Sequence, residues 1–127
     1  MDIKELQSGI ELTLEQTVKK SDTAAAYGSG SLDVLATPAM IALMENTSLK
    51  LVKDKLPDGY DTVGTHVDIK HIKATPLGGK VTCKSRLTAV EGRKLTFEVT
   101  AQDEKGPIGK GTHKRYIIDR ASFLNSL

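Results

Sequence analysis

The order of hydrophobic periods in this chain predicts an α+β domain, one curled antiparallel β-sheet wrapped around a single long central α-helix. Three observations carry the prediction. One stretch, Val34 to Leu56, repeats its apolar residues at helical spacing. Four stretches after it alternate apolar and polar residues at period two, separated by turn residues. One further alternating stretch precedes the helix. A lone helix cannot cover both faces of such a sheet, but a sheet curled around it buries it. The 127 residues fit one domain, 1–127, large enough for a core without disulfide staples.

The first element is Gly9 to Val18, where Ile10, Leu12 and Leu14 oppose Glu11, Thr13 and Glu15. This reads as a strand with one wet face. Lys19 to Ser31 is polar and then small, with glycines at 28 and 30, and reads as a mobile loop. In the helix, Met40, Ile41, Met44, Leu51, Val52 and Leu56 form the apolar stripe. Pro38 suits the first helical position and Thr37 the N-cap. Lys50, Lys53 and Lys55 suit the negative end of the dipole, and Leu56-Pro57-Asp58-Gly59 stops the helix.

Beyond Thr62, Val63, Thr65, Val67, Ile69 and His71 share one face by alternation, while Gly64, His66, Asp68 and Lys70 share the other. Thr75-Pro76-Leu77-Gly78-Gly79 turns the chain. Val81, Cys83, Ser85, Leu87 and Ala89 then face inward, Glu91-Gly92-Arg93 marks a tight hairpin, and Leu95, Phe97, Val99 and Ala101 form the next inward face. Ile108 to Ile118 is the last strand; its glycines at 109 and 111 point to close backbone approach or a bulge. The tail DRASFLNSL is a short helix or a frayed end.

Composition narrows the function. Eighteen basic against 16 acidic residues leave a net charge of +2, too little to argue for nucleic acid or an anionic membrane surface. Five aromatics and no Trp offer little for base stacking. The lone Cys83 excludes an intrachain disulfide and a Cys-based zinc site, and its strand pattern makes it an inert core residue. The opening MDIKELQSGIEL lacks a leader-like apolar region, and no apolar run approaches a membrane span. A soluble cytoplasmic protein is the expectation. The histidines at 66, 71 and 113 lack metal-ligand spacing, so no metal is expected. Nucleophile-elbow, phosphate-loop and dinucleotide fingerprints are absent.

What remains are a few polar residues in apolar surroundings. Glu45 lies four residues after Ile41 and one after Met44, on or beside the helix stripe. Either it reaches water at the stripe's edge or it is held in a pocket for chemistry. His71 shares the inward face with Val67 and Ile69, as a satisfied core histidine or as a catalyst. His66 reads as solvated, and His113, between glycine-rich neighbours, has no clear face. Thr37 is most simply a cap, yet the N–H groups around it suit a carbonyl oxygen that becomes an oxyanion. Thr37 and Glu45 are eight residues apart, about 12 Å along a helix axis, too far to touch. Two such helices meeting antiparallel across a two-fold axis would bring one chain's Thr37 toward the other's Glu45.

With these residues laid out, the sequence resembles the fluoroacetyl-CoA thioesterase group of hotdog-fold acyl-CoA thioesterases. The carriers are VLATPAMIALMENTS, VGTHVDIKHIKATPLGGKVT, LTAVEGRKLTFEVTAQD and IGKGTHKRYII, from about Val34 to Ile118. The resemblance implies a hotdog fold and hydrolysis of a short or medium acyl-CoA to a carboxylate and CoA. It implies a catalytic set of Thr37, Glu45 and His71, with Gly64 and Arg115 around the acyl group. It also implies no cofactor beyond the coenzyme A of the substrate, and a homodimer, or a tetramer built from it, with the site at the dimer interface. Lys70, Lys73 and Lys110 are candidates for the CoA phosphates. The family enzyme's phenylalanine lid has no counterpart in Tyr27 to Asp33 (YGSGSLD), so a general acyl group is expected rather than strict choice of fluoroacetyl. The competing readings are a non-catalytic hotdog protein that binds acyl-CoA or another small ligand, and an interaction protein whose Glu45 is merely half-exposed.

Overall fold

The computed structural model describes residue 3 and residues 5–127. Residues 1, 2 and 4, part of the opening stretch read for a leader, lie outside the described residues. Strand β1 (Glu11–Thr17) is followed by a 3-10 turn and a short helix α1 (Ala24–Tyr27), then the long helix α2 (Thr37–Lys53). Strands β2 (Tyr60–His71), β3 (Lys80–Glu91), β4 (Lys94–Asp103) and β5 (Gly106–Asp119) follow, and helix α3 (Arg120–Asn125) closes the chain. All strand pairs are antiparallel, in the order β1-β3-β4-β5-β2. The α+β architecture therefore stands. Consecutive strands are not all neighbours, however: β2 lies at the far edge beside β5, and residues 72–79 carry the chain across to β3.

Helix α2 is shorter than the Val34–Leu56 periodicity predicted. Val34 and Leu35 are spent on bridges to Pro76 and Thr23, and Leu35 N–H donates to Thr75 O. Residues 19–31 are more ordered than a mobile loop: the Thr23 hydroxyl caps α1 at Ala26, and Gly28 ends it at φ +73°, which glycine adopts without strain. The buried face of α2 includes Met40, Leu43, Met44, Leu51 and Val52. These belong to one core with Val81, Cys83, Leu87, Leu95, Phe97, Val99, Ile108 and Ile117. A truncation such as Phe97→Ala there would cost about 3–5 kcal/mol. Polar groups on the helix are matched too: Ser48 and Ser85 share a buried 2.7 Å hydrogen bond between α2 and β3.

The glycines of β5 allow two close approaches. A methyl carbon on Gly109 would lie 2.6 Å from Met40 Sδ, and one on Gly111 would collide with the Asp68 carbonyl of β2. The register of β2 on β5 shifts between Gly64 and His66. This bulge corrects the alternation read from sequence. Thr62 and Gly64 oppose Ile117 and Arg115, whereas Val67, Ile69 and His71 oppose His113, Gly111 and Gly109. Residues directly opposite share a face, so Gly64 joins Val67 and His71 on the helix side. Val63 opposes the exposed Tyr116 on the outer side. The extra residue absorbed at Thr65 exchanges the two faces.

Candidate active site

Two polar clusters lie along β2. The first joins the start of α2 to the end of β2. Thr37 is not the cap: Ala36 takes that place without a side-chain bond, and Pro38 sits in the first turn. The Thr37 hydroxyl instead meets His71 Nδ1 at 2.7 Å. Being the first helical residue, Thr37 points its side chain off the axis toward β2 rather than back onto its own amides. Among the described residues His71 Nε2 is buried with no partner in hydrogen-bond geometry. Burial pushes the His71 pKa below the ordinary imidazole value, and the Lys73 backbone pulls it partly back. The pair borders a cavity of about 310 Å³ lined also by Ala24, Ser29, Val34 and Ile72. That volume is at the small end of ligand pockets.

One lining residue of this cavity, Lys73, is itself held in place. Asp103, at the end of β4, accepts from Lys73 Nζ at 2.6 Å and from the Thr75 hydroxyl at 2.9 Å. Desolvation pushes the Asp103 pKa up, but Lys73, the Lys105 amide and Thr75 outweigh it and hold the carboxyl at about 2. Lys73 is thereby committed to an ion pair, whereas Lys70 and Lys110 stay exposed, paired across β2 and β5. Cys83 is fully buried, and its pKa is raised by that burial, as an inert core thiol requires.

The second cluster gathers Glu45, Gly64, Arg115 and His113. A methyl carbon on Gly64 would lie 3.1 Å from Glu45 Oε2, 3.3 Å from His113 Cε1 and 3.5 Å from Arg115 Nη1. Three functional groups thus converge on the space a side chain would fill. Arg115 is 7% exposed. It donates from Nε to Thr62 Oγ1 at 2.8 Å and from Nη2 to Thr62 O at 3.0 Å. Burial lowers its pKa, while the charges of Glu45 and Asp61 support the cation. Glu45 is half-buried, between the buried Met44 and Thr47 faces of α2.

The structure therefore unites Thr37 with His71, and Glu45 with Gly64 and Arg115. It does not bring Glu45 to His71 within one chain. His113 is the group the sequence reading missed. It was legible by stepping back two residues from Arg115, since Ile117, Arg115 and His113 alternate on one face. The glycines at 109 and 111 hid that alternation.

Comparison with known proteins gives this geometry a family. The family model for the fluoroacetyl-CoA-specific thioesterase matches residues 18–121. The chain belongs to that thioesterase family. The fluoroacetyl-CoA thioesterase of Streptantibioticus cattleyicolor is 38% identical over 91 residues, 72% of this chain and 66% of that enzyme. A solved structure of the fluoroacetyl-CoA thioesterase FlK superposes with a TM-score of 0.90 at 31% identity, covering 95% of this chain and 94% of FlK. A hot-dog-like protein from Thermanaerovibrio acidaminovorans superposes with a TM-score of 0.90 at 24% identity, covering 99% of this chain and 94% of its own. The curled sheet around α2 is accordingly a hotdog fold, as the sequence resemblance implied. The thioesterase match spans both polar clusters, from α2 through β5. Among the described residues no cluster of metal-ligating side chains is found, and no helix is long and apolar enough to cross a membrane.

Proposed function

We propose that this protein hydrolyses a short or medium acyl-CoA thioester to a carboxylate and CoA, at sites shared between two copies of the chain. The observation that carries the reading is His71, bonded through Nδ1 to Thr37 and bearing a buried, unpartnered Nε2 beside a small cavity, in a chain of a thioester-hydrolase family. Thr37, Glu45 and His71 are its catalytic groups. Glu45 takes a proton from water that adds to the thioester carbonyl, or itself attacks to form a mixed anhydride that water then opens. The carbon–sulfur bond breaks and the thiolate leaves, protonated by His71 or solvent. Among the described residues the first-turn amides of α2 without a partner are those of Thr37 and Ala39, because Pro38 has none and Met40 N–H is bonded to Ala36 O. They suit the developing oxyanion. Gly64 and Arg115 bound the acyl group.

Dimerisation follows from incompleteness within one chain. Glu45 and His71 sit in separate clusters, β2 is an open sheet edge, and Val67 (42% exposed) and Ile72 (54%) leave apolar surface on and just beyond it. A two-fold pairing through this edge supplies each His71 with the other chain's Glu45. The reaction calls for no cofactor, CoA being part of the substrate, and a CoA-thioester substrate is in keeping with a cytoplasmic enzyme.

The test is thiol release from a panel of acyl-CoAs, acetyl to long-chain plus fluoroacetyl, read alongside sedimentation. The reading expects turnover of short chains and a fall in specific activity when dilution dissociates the dimer. Saturable CoA binding without thiol release would instead favour a ligand-capturing protein. Full specific activity in a monomer would refute the shared site.

A further inference from the structure

His113 is buried to 1% exposure in the middle of β5, and its two ring nitrogens face groups of fixed character. Nδ1 lies 2.7 Å from the His66 carbonyl oxygen, which can only accept, so Nδ1 carries the proton. Nε2 lies 3.2 Å from Arg115 Nη1, which can only donate, so Nε2 is bare. The two neighbours select one neutral tautomer. The ring stacks, displaced and tilted, beside Phe97 of β4, centroids 6.1 Å apart at 27°. Arg115 is then fixed at all three nitrogens: Nε and Nη2 by Thr62, Nη1 by His113. Two of its five N–H groups remain, one on each terminal nitrogen, and Nη1 is the nitrogen nearest the space above Gly64 and Glu45.

We propose that His113 is a positioning residue of the thioesterase site: a neutral, Nδ1-protonated imidazole that aims the Arg115 guanidinium at the space bounded by Gly64 and Glu45. Its kinetic consequence rests on the acyl-CoA hydrolase reading above; its tautomer and its grip on Arg115 do not. The position also demands that His113 stay uncharged. A proton on Nε2 would set N–H against N–H and a second cation beside Arg115. The charged and titratable groups facing the ring are Arg115 on β5, His66 on β2 and Glu45 on α2; β4 offers only the Phe97 ring. Burial and Arg115 favour the neutral ring, while the His66 carbonyl and Glu45 oppose them, and the balance lies below the ordinary imidazole pKa.

Asn and Gln separate the two bonds. His113→Asn keeps a donor where Nδ1 stands and loses the acceptor for Arg115. His113→Gln reaches to the place of Nε2 with an oxygen that accepts from Arg115. The expected result is a fall of about tenfold in kcat/KM for His113→Asn, the worth of one charge-assisted hydrogen bond, largely recovered in His113→Gln. In an Arg115→Met background the Asn change should cost nothing further in kcat/KM, because the bond it would break is already gone. Equal losses in Asn and Gln, or a full Asn loss in the Arg115→Met background, would overturn the proposal. Nitrogen-15 NMR of histidine-labelled wild type decides it without turnover. A bare Nε2 that persists below about pH 6.5, and whose resonance shifts on Arg115→Met, supports it. An Nε2-protonated or charged ring at neutral pH, or a resonance indifferent to Arg115→Met, overturns it. Wild type that releases no thiol while the NMR result holds would refute the hydrolase reading alone.

Discussion

At one end of β2, Thr37 and His71 share a single 2.7 Å bond beside a cavity, and a buried ring nitrogen is left open. Further along the same strand, Arg115 is fixed at every nitrogen and His113 at both of its own. The first cluster has unused hydrogen-bonding capacity beside that cavity. The second holds its cation at every nitrogen, keeps two guanidinium N–H groups, and works by holding charge still beside Glu45. An open, partly desolvated histidine suits proton transfer. A guanidinium held at all three nitrogens suits preorganised electrostatics, which needs no rearrangement during reaction. The same strand supports both because the bulge at Thr65 turns Gly64 and His71, an odd number of residues apart, to one face.

The sharpest way to break this division is to put the clusters on different chains. Glu45→Ala should lower thiol release by about 10²–10⁴-fold with the fold intact, and His71→Ala should do likewise. Mixing the two variants should restore about a quarter of wild-type activity, because half of randomly paired dimers carry one intact shared site of two. No recovery on mixing, measured after confirmed subunit exchange, would place both clusters' chemistry within one chain.

Gly64→Ala tests the cluster around Arg115. The added methyl would press on Glu45 Oε2 at 3.1 Å and His113 Cε1 at 3.3 Å, so both must yield by a few tenths of an ångström. An expected loss of about 10–100-fold in kcat/KM with little change in Tm follows from displaced geometry. An unchanged rate would show that the cluster is not near the acyl group. Thr37→Ala tests the open cluster more gently. It removes one hydrogen bond to His71 and should cost about tenfold, and Thr37→Ser should recover most of it. Equal rates in Ala and Ser would deny the hydroxyl a role.

The smallest effect concerns stability against pH. His71, His113 and Asp103 all have folded pKa values below their unfolded ones. The unfolded chain therefore binds protons first, and stability falls as pH drops. The histidines' contribution is whole above about pH 6.5 and is lost as pH falls through their lower folded values. That of Asp103 is whole above its unfolded value of 3.8 and is lost as pH falls to about 2. Urea unfolding against pH should show both declines, and Asp103→Asn should flatten only the lower one.

How much of this was legible in advance varies residue by residue. Met40, Met44 and Val52 announced the helix and its buried face through spacing alone. Glu45 stood out because a carboxylate interrupted that spacing. Its company did not, since Gly64 was assigned to the wrong face by an alternation that the bulge breaks. Thr37 looked like a cap because its neighbours look like a helix start, and only the approach of β2 shows its hydroxyl turned to His71.

Helix, strands, turns and their order are local matters, written in periods of 3.6 and 2 that each segment carries within itself, and here the amino-acid order was enough for them. The family resemblance rested on polar residues at long fixed spacings, equally present in the bare chain. Partnerships were not. Which nitrogen of His113 carries the proton, what holds Arg115 and what a side chain at Gly64 would meet all depend on one register shift between β2 and β5 and on where α2 crosses them. Such contacts join residues some 50 positions apart, and no periodicity within a segment encodes the distance between two.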